Sequence, residues 1–281
     1  MSVVEVHEAQ LLEGRYAVSP HGAQVTSWWS ARYGDLLYLS SAARFEAGKA
    51  IRGGIPICFP WFAGGPSGDR APAHGFARLA RWREITWDVD EQRSRLRAGY
   101  LLDPSAAGRA APGSDSPFVL RYDLELTPRS GRFTLRIENR SAAPAGCEAA
   151  LHTYLRVGDA TSVALHGLDG ATYADKTAGG TRRSQRGPLT LGPEVDRVYD
   201  CAGDVTLQDP ALARSLLVRA GGASQTVVWN PGETKAAALA DVGAGEWRSF
   251  VCVEAAAVGE DAIRLGAGQS HELAQEIVPG A

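Results

Sequence analysis

"FVLRYDLEL" (Phe118–Leu126) and "RFTLRIENR" (Arg132–Arg140) decide the fold class. In both, apolar and polar residues alternate with a period of two, the pattern of a β-strand with one buried face. The residues between them, "TPRSG", read as a hairpin connection. Further out, "SVALHGL" (Ser162–Leu168), "SLLVRA" (Ser215–Ala220), "QTVVWNP" (Gln225–Pro231) and "SFVCVE" (Ser249–Glu254) have the same character. Amphipathic helices are scarce, and "DPALARSLL" offers one turn before a strand. Many short strands broken by Gly- and Pro-rich turns predict an all-β fold, a large β-sandwich of mainly antiparallel strands. No repeat or linker divides the chain, so residues 1–281 are expected to form one domain.

Composition narrows the function classes. The chain has 281 residues, 44% hydrophobic and 22% charged, which is ordinary globular usage. No run of about 18 apolar residues is present, so no membrane span is expected. The first residues, "MSVVEVHEAQ", lack the apolar core of a signal peptide, and a cytoplasmic protein is the expectation. A net charge of -3 argues against general nucleic-acid binding, which needs a basic face. The sequence leaves the oligomeric state open, a monomer included. Lysine occurs only at 49, 176 and 235, the other cations being arginines. That bias reads as base composition, so only the placement of cations informs.

The four cysteines, Cys58, Cys147, Cys201 and Cys252, are far apart and form no C-x-x-C pair. Neither a zinc site nor a disulfide framework is expected, and Cys58 and Cys252 read as small buried apolar residues. His7, His21, His166 and His271 have no acidic or cysteine partner at useful spacing, so no metal is called for. The nucleotide-binding P-loop, the nucleophile elbow, H-E-x-x-H and the dinucleotide fingerprint are all absent. Two segments read as surface loops: Asp103–Pro117, a hairpin connection, and Lys176–Pro188, which carries Arg182, Arg183 and Arg186.

Chemistry-bearing residues collect in four places. "IRGGIP" sets Arg52 beside two glycines, which permit close backbone approach, while the guanidinium offers a planar fork to an anion. "AHGFAR" brings His74 and Arg78 four residues apart, and Trp61 and Phe62 lie shortly before them. Trp61 and Phe62 suit either a stacking wall for a sugar or the core. In "ALHTYLRV" strict alternation puts His152 on one face with Tyr154 and Arg156, a polar face on which an imidazole can serve as general acid. In "SFVCVEAAA" Glu254 shares a face with Cys252 and Phe250, where partial desolvation raises a carboxyl pKa and suits a base. Taken singly, each of these residues also fits a structural role.

Together and in order, "IRGGIPICFPWF", "AHGFAR", "ALHTYLRV", "YADK" (Tyr173–Lys176), "VDRVY" (Val195–Tyr199), "VVWNP", "LADV" and "FVCVE", with a late Gln275, resemble the glucose-6-phosphate 1-epimerase group of the aldose 1-epimerase family. The resemblance implies a galactose mutarotase-like supersandwich with a sugar pocket on its concave face. It implies interconversion of the α and β anomers of a hexose 6-phosphate, without cofactor or metal. It assigns the general acid to His152 and the general base to Glu254, and substrate binding to Arg52, Arg78 and Asp196. His74 is expected to shape the pocket or bond a substrate oxygen. A carboxylate and an imidazolium are needed together, and a nearby carboxylate favours the charged imidazole. Where members of the group often carry Gln before the His of "HGFAR", this chain has Ala73, which loosens the choice of phosphosugar. A mutarotase of free aldoses and a silent sugar-binding module are the alternatives.

Overall fold

A computed structural model of the chain describes residues 3–107, 113 and 115–280. The hairpin forms in the expected register, with Phe118–Leu126 pairing antiparallel to Gly131–Asn139 from Phe118↔Asn139 to Leu126↔Gly131. Phe118, Leu120, Tyr122, Leu124 and Leu126 point into the core, and the residues between them reach partial or full exposure. One-sided burial of this kind is what the period-two pattern encodes.

Two large sheets dominate. The hairpin belongs to a nine-stranded sheet ordered Leu189–Thr190, Ala164–His166, Val205–Asp209, Arg214–Gly221, Ser270–Gly280, Gly131–Asn139, Phe118–Leu126, Arg95–Leu102, Arg83–Asp90. An eight-stranded sheet runs Thr181–Ser184, Thr172–Asp175, Val195–Tyr199, Gln225–Asn230, Phe250–Ala257, Ala149–Leu151, Ile57–Cys58, and Tyr154–Arg156 also pairs with Phe250–Ala257. A four-stranded N-terminal sheet, His7–Asp35, packs into the same core through Tyr16, Val18, Val25 and Trp28. All pairings between these strands are antiparallel among the described residues. The chain is all-β, with one short α-helix, Gly232–Ala237, among the described residues.

Leu151, Val251, Val253, Ala255 and Val228 of the eight-stranded sheet join Leu135, Leu216, Leu273 and Ile277 of the nine-stranded one in a common core. Burying a Leu or Ile side chain of this kind contributes roughly 1.5–3 kcal/mol. The strand Phe250–Ala257 is buried along its whole length, so its second face is also covered. That outer face carries Phe250, Cys252, Glu254 and Ala256, and it is where the site lies.

One surface segment differs from its sequence reading and another agrees with it. Thr181–Ser184, expected as loop, is an edge strand paired with Thr172–Asp175. All four of its residues are exposed, so no face is buried and no alternation marks it. Asp103–Pro117 joins the paired strands Arg95–Leu102 and Phe118–Leu126 as expected, although residues 108–112 and 114 lie outside the described residues. His7 does have acidic partners, Glu5, two residues before it, at 3.3 Å and Glu84, brought by the fold from a distant segment, at 2.7 Å.

Candidate active site

Strand register builds the site in two rows. Val198 pairs with Val227 and Val227 with Glu254. Leu151 pairs with Ala255 and Tyr154 with Cys252, which sets His152 opposite Glu254. The adjacent row runs Asp196, Trp229, Cys252, Tyr154. Neighbouring strands lie about 4.8 Å apart, so these side chains stand close together on one face. His152 Nε2 lies 3.4 Å from Glu254 Oε1.

Both members are buried, and their environments oppose charge. Neither Glu254 oxygen nor His152 Nδ1 makes a hydrogen bond among the described residues. Burial, then the negative charge of Asp196, raises the Glu254 carboxyl well above its usual range. Burial, then His74, Arg78 and Arg52, lowers His152 well below the usual imidazole range. An imidazolium set up by its carboxylate neighbour, the sequence expectation, is therefore not the resting form. Desolvation and nearby cations outweigh one carboxylate, and the pair keeps its shared proton on the glutamate side.

A cavity of about 210 Å³ opens over the pair, lined among others by Arg52, His74, Lys176, Asp196, Trp229 and Lys235. Arg52 is delivered by the Gly53–Gly54 turn. A Cβ on Gly53 would lie 2.4 Å from Tyr38 O, and one on Gly54 2.0 Å from Val25 O, so the glycines serve close backbone approach. Its guanidinium donates to Tyr154 Oη at 2.8 Å and to both Asp241 oxygens at 3.1 Å. Its remaining Nη hydrogens are free of these contacts, since a guanidinium has five donors.

His74 occupies a left-handed backbone position (φ 63°), unusual for a residue with a Cβ. Ala63 N–H lies 3.3 Å from His74 Nδ1, as does Cys58 Sγ. A backbone N–H can only donate, so Nδ1 is the acceptor and Nε2 carries the proton. Burial, then Arg78, Arg52 and Lys176, pushes His74 down to about 3. It is a neutral donor, suited to a substrate oxygen and not to carrying charge.

Arg78 does not line this cavity. Its Nη2 donates to Ala73 O at 2.7 Å, and its charge acts on His74 and His152. Of the two arginines expected at the substrate, Arg52 lines the cavity and Arg78 stands behind His74. Phe62 lines the cavity, but Trp61 lines another one beside Arg70. Asp196 is raised by burial, against the opposing pull of Lys176 and Lys235, and lies 3.9 Å from Lys235 Nζ.

Three cavity residues had no role in the sequence reading. Trp229 supplies the aromatic wall, its ring centroid 5.8 Å from that of His152. Lys176 and Lys235 are two of the chain's three lysines, and both line the cavity. Lys235 is bound to Glu194 at 2.6 Å, while Lys176 Nζ sits 5.2 Å above the Phe62 ring and has no ion pair among the described residues. Their scarcity in an arginine-rich chain was the available signal.

His152, Cys252 and Glu254 also bring three donor atoms within 4.8 Å of one another. A metal would need the thiolate, whereas burial and Glu254 push the Cys252 thiol well above its ordinary value.

A buried carboxyl–imidazole pair thus lies beneath a polar cavity on the outer face of an antiparallel β-sandwich, an arrangement able to give and take protons. The chain belongs to the aldose 1-epimerase family, whose description "Aldose 1-epimerase" matches residues 12–278. A protein from Cenchrus ciliaris called "putative glucose-6-phosphate 1-epimerase" is 33% identical, over 93% of this chain and 80% of its own. A protein of the same description from Escherichia coli K12 is 32% identical, over 85% and 78%. The crystal structure of a "putative mutarotase" from Salmonella typhimurium superposes with a TM-score of 0.88 at 25% identity, covering 100% of this chain and 92% of that one. An Escherichia coli K12 structure described as a "putative aldose 1-epimerase" shares the fold, with a TM-score of 0.72 at 14% identity over 98% and 99% of the two chains. The protein is an isomerase that interconverts sugar anomers. No helix among the described residues is long and apolar enough to cross a membrane.

Proposed function

We propose that the chain interconverts the α and β anomers of a hexose 6-phosphate, glucose 6-phosphate first among them, with His152 and Glu254 as the acid/base pair. One observation carries the reading: the His152–Glu254 pair lies at the base of a cavity whose walls carry Arg52, Lys176 and Lys235. The names of the relatives point to the same substrate.

Ring opening requires a base at the C1 hydroxyl and an acid at the ring oxygen. Passage of the shared proton from Glu254 to His152 leaves a carboxylate and an imidazolium 3.4 Å apart. Glu254 then takes the C1 hydroxyl proton while His152 Nε2 protonates the ring oxygen, and the C1–ring oxygen bond breaks to give the aldehyde. Rotation about C1–C2 presents the other carbonyl face. His152 takes back the hydroxyl proton as the ring closes, and Glu254 returns its proton to the carbonyl oxygen. Each partner contributes roughly 10²–10⁴-fold. Neutral His74 donates from Nε2 to a sugar oxygen, Asp196 accepts from sugar hydroxyls, and Trp229 lies against the apolar face of the ring. Arg52 and Lys176 meet the phosphate, and Arg78 acts through its field. Phosphorylated sugars are retained inside cells by their charge, so we place the enzyme in the cytoplasm.

A second reading, a mutarotase of free aldoses, draws support from the Arg52–Asp241 pair, which neutralises one cation before any substrate arrives. Anomer exchange followed by NMR on glucose and glucose 6-phosphate separates the two. A higher kcat/KM for the phosphosugar is expected, and preference for free glucose overturns the phosphosugar assignment.

A further inference from the structure

Gln275 lies in the interior of the sandwich, on the strand Ser270–Gly280 of the sheet opposite the active site. Leu273 and Ile277, its neighbours on the inward face, are apolar and fully buried, and Gln275 itself is 1% exposed. An amide placed there is costly unless both its ends are satisfied. Both are, and by partners across the sandwich. Val253 O accepts from Gln275 Nε2 at 2.9 Å, and Thr153 Oγ1 donates to Gln275 Oε1. A carbonyl can only accept, which fixes the amide nitrogen on Val253 and leaves its oxygen to the Thr153 hydroxyl.

Those two partners flank the acid/base pair. Thr153 follows His152 in sequence, Val253 precedes Glu254, and Val253 N–H donates to Thr153 O at 3.2 Å. The strand carrying His152 is interrupted here: regular pairing stops at Leu151 and resumes at Tyr154. Across the gap, Thr153 N–H turns back to Leu151 O and His152 N–H reaches Pro56 O, both at 3.0 Å. The backbone that aims His152 is thus irregular, and its own strand provides few of the bonds that hold it. Gln275 bonds to both strands immediately beside the pair.

We propose that Gln275 is a positioning residue, which braces Thr153 and Val253 from the opposite sheet and thereby holds His152 and Glu254 at their working separation. The inference rests on that pair being the proton-transfer couple of the proposed function. Displacements of an ångström in such couples cost up to about 100-fold in rate.

The test measures anomer exchange per folded molecule, with the folded fraction taken from near-UV circular dichroism. Gln275→Met, which keeps the length and removes both bonds, is expected to lower kcat roughly 10- to 100-fold with KM unchanged and to alter the pH–rate profile. Thr153→Val should do the same, Thr153→Ser should retain wild-type kcat, and the double variant should be no worse than the poorer single one. Wild-type kcat in folded Gln275→Met, or losses that simply add, overturns the proposal. If Gln275→Met does not fold, the Thr153 pair decides: equal kcat in Thr153→Val and Thr153→Ser overturns it. Glu254→Gln separates the two claims. Its inactivity with a normal Gln275→Met removes the bracing alone, and its full activity removes the acid/base assignment and the bracing together.

Discussion

His152 faces Glu254 at the break between two short strands paired with Phe250–Ala257, its Nε2 3.4 Å from Glu254 Oε1, and neither Glu254 oxygen is hydrogen-bonded among the described residues. A buried acid left without donors is a stability cost that a binding or structural role would not require. On the proposed function, a substrate hydroxyl is the partner expected there. Glu254→Gln and His152→Asn should each lower the rate of anomer exchange by roughly 10²–10⁴-fold. Neither removes a hydrogen bond of the resting protein that involves the altered carboxyl or ring, so thermal melts should show the fold retained. Exchange near the wild-type rate in either variant would falsify the assignment.

The protonation of the pair predicts a pH–rate profile. With ordinary values, near 4.3 for Glu and 6.5 for His, the singly protonated pair would peak between those two and fade above neutrality. Here the Glu254 value is raised and the His152 value lowered, so the acid limb belongs to His152 and the alkaline limb to Glu254. The acid limb, where His152 takes a second proton, moves below the imidazole range. The alkaline limb, where Glu254 loses the last proton, moves above the carboxyl range. Measured across pH, kcat is expected to show an acid limb below the ordinary imidazole range and an alkaline limb above the ordinary carboxyl range. A narrow bell centred near pH 5.4 would mean that the charged pair is the resting form after all.

The pair was legible residue by residue, but its geometry was not. Alternation put His152 with Tyr154 and Glu254 with Cys252, and the structure stacks His152 on Tyr154 at 4.9 Å between centroids. Which strand lies beside which depends on pairing between distant segments, and a single sequence holds no record of it. The hairpin Phe118–Asn139 was readable because one face is core and the other solvent. Thr181–Ser184 was unreadable because neither face is buried. Arg78 shows a further limit: spacing brings it near His74, but only the folded loop turns its guanidinium to Ala73 O.

His74 ties the site to acid stability. Its folded value of about 3 lies below the ordinary unfolded value of about 6.5, so it binds fewer protons in the native state. The linked contribution to stability is complete above pH 6.5 and is lost as pH falls toward 3. His74→Asn suits the test, because Asn tolerates the left-handed backbone of this position. Urea unfolding at pH 7 and pH 4.5 should show a smaller loss of stability in the variant than in the wild type. Equal losses would mean that His74 is protonated in the folded protein.

Lys176 provides the sharpest distinction between phosphorylated and free sugars. Arg52 reaches the cavity with part of its charge offset by Asp241, and Lys235 is held by Glu194. Lys176, which also lines the cavity, has no ion pair among the described residues and stands over the Phe62 ring. A charge-assisted hydrogen bond to phosphate is worth roughly 1.5–3 kcal/mol, and about 1.4 kcal/mol is tenfold in affinity. Lys176→Gln should therefore raise KM for glucose 6-phosphate about tenfold or more and leave KM for glucose nearly unchanged. Arg52→Gln should discriminate in the same direction, with some loss on glucose as well because Tyr154 loses its donor. Lys49→Gln, an exposed lysine outside the cavity, should affect neither substrate. Added salt should raise KM for the phosphosugar alone, since screening acts on the ionic contact and not on hydroxyl recognition. Equal losses on both sugars in Lys176→Gln would place that lysine at the ring and leave the phosphate without its unpaired cation.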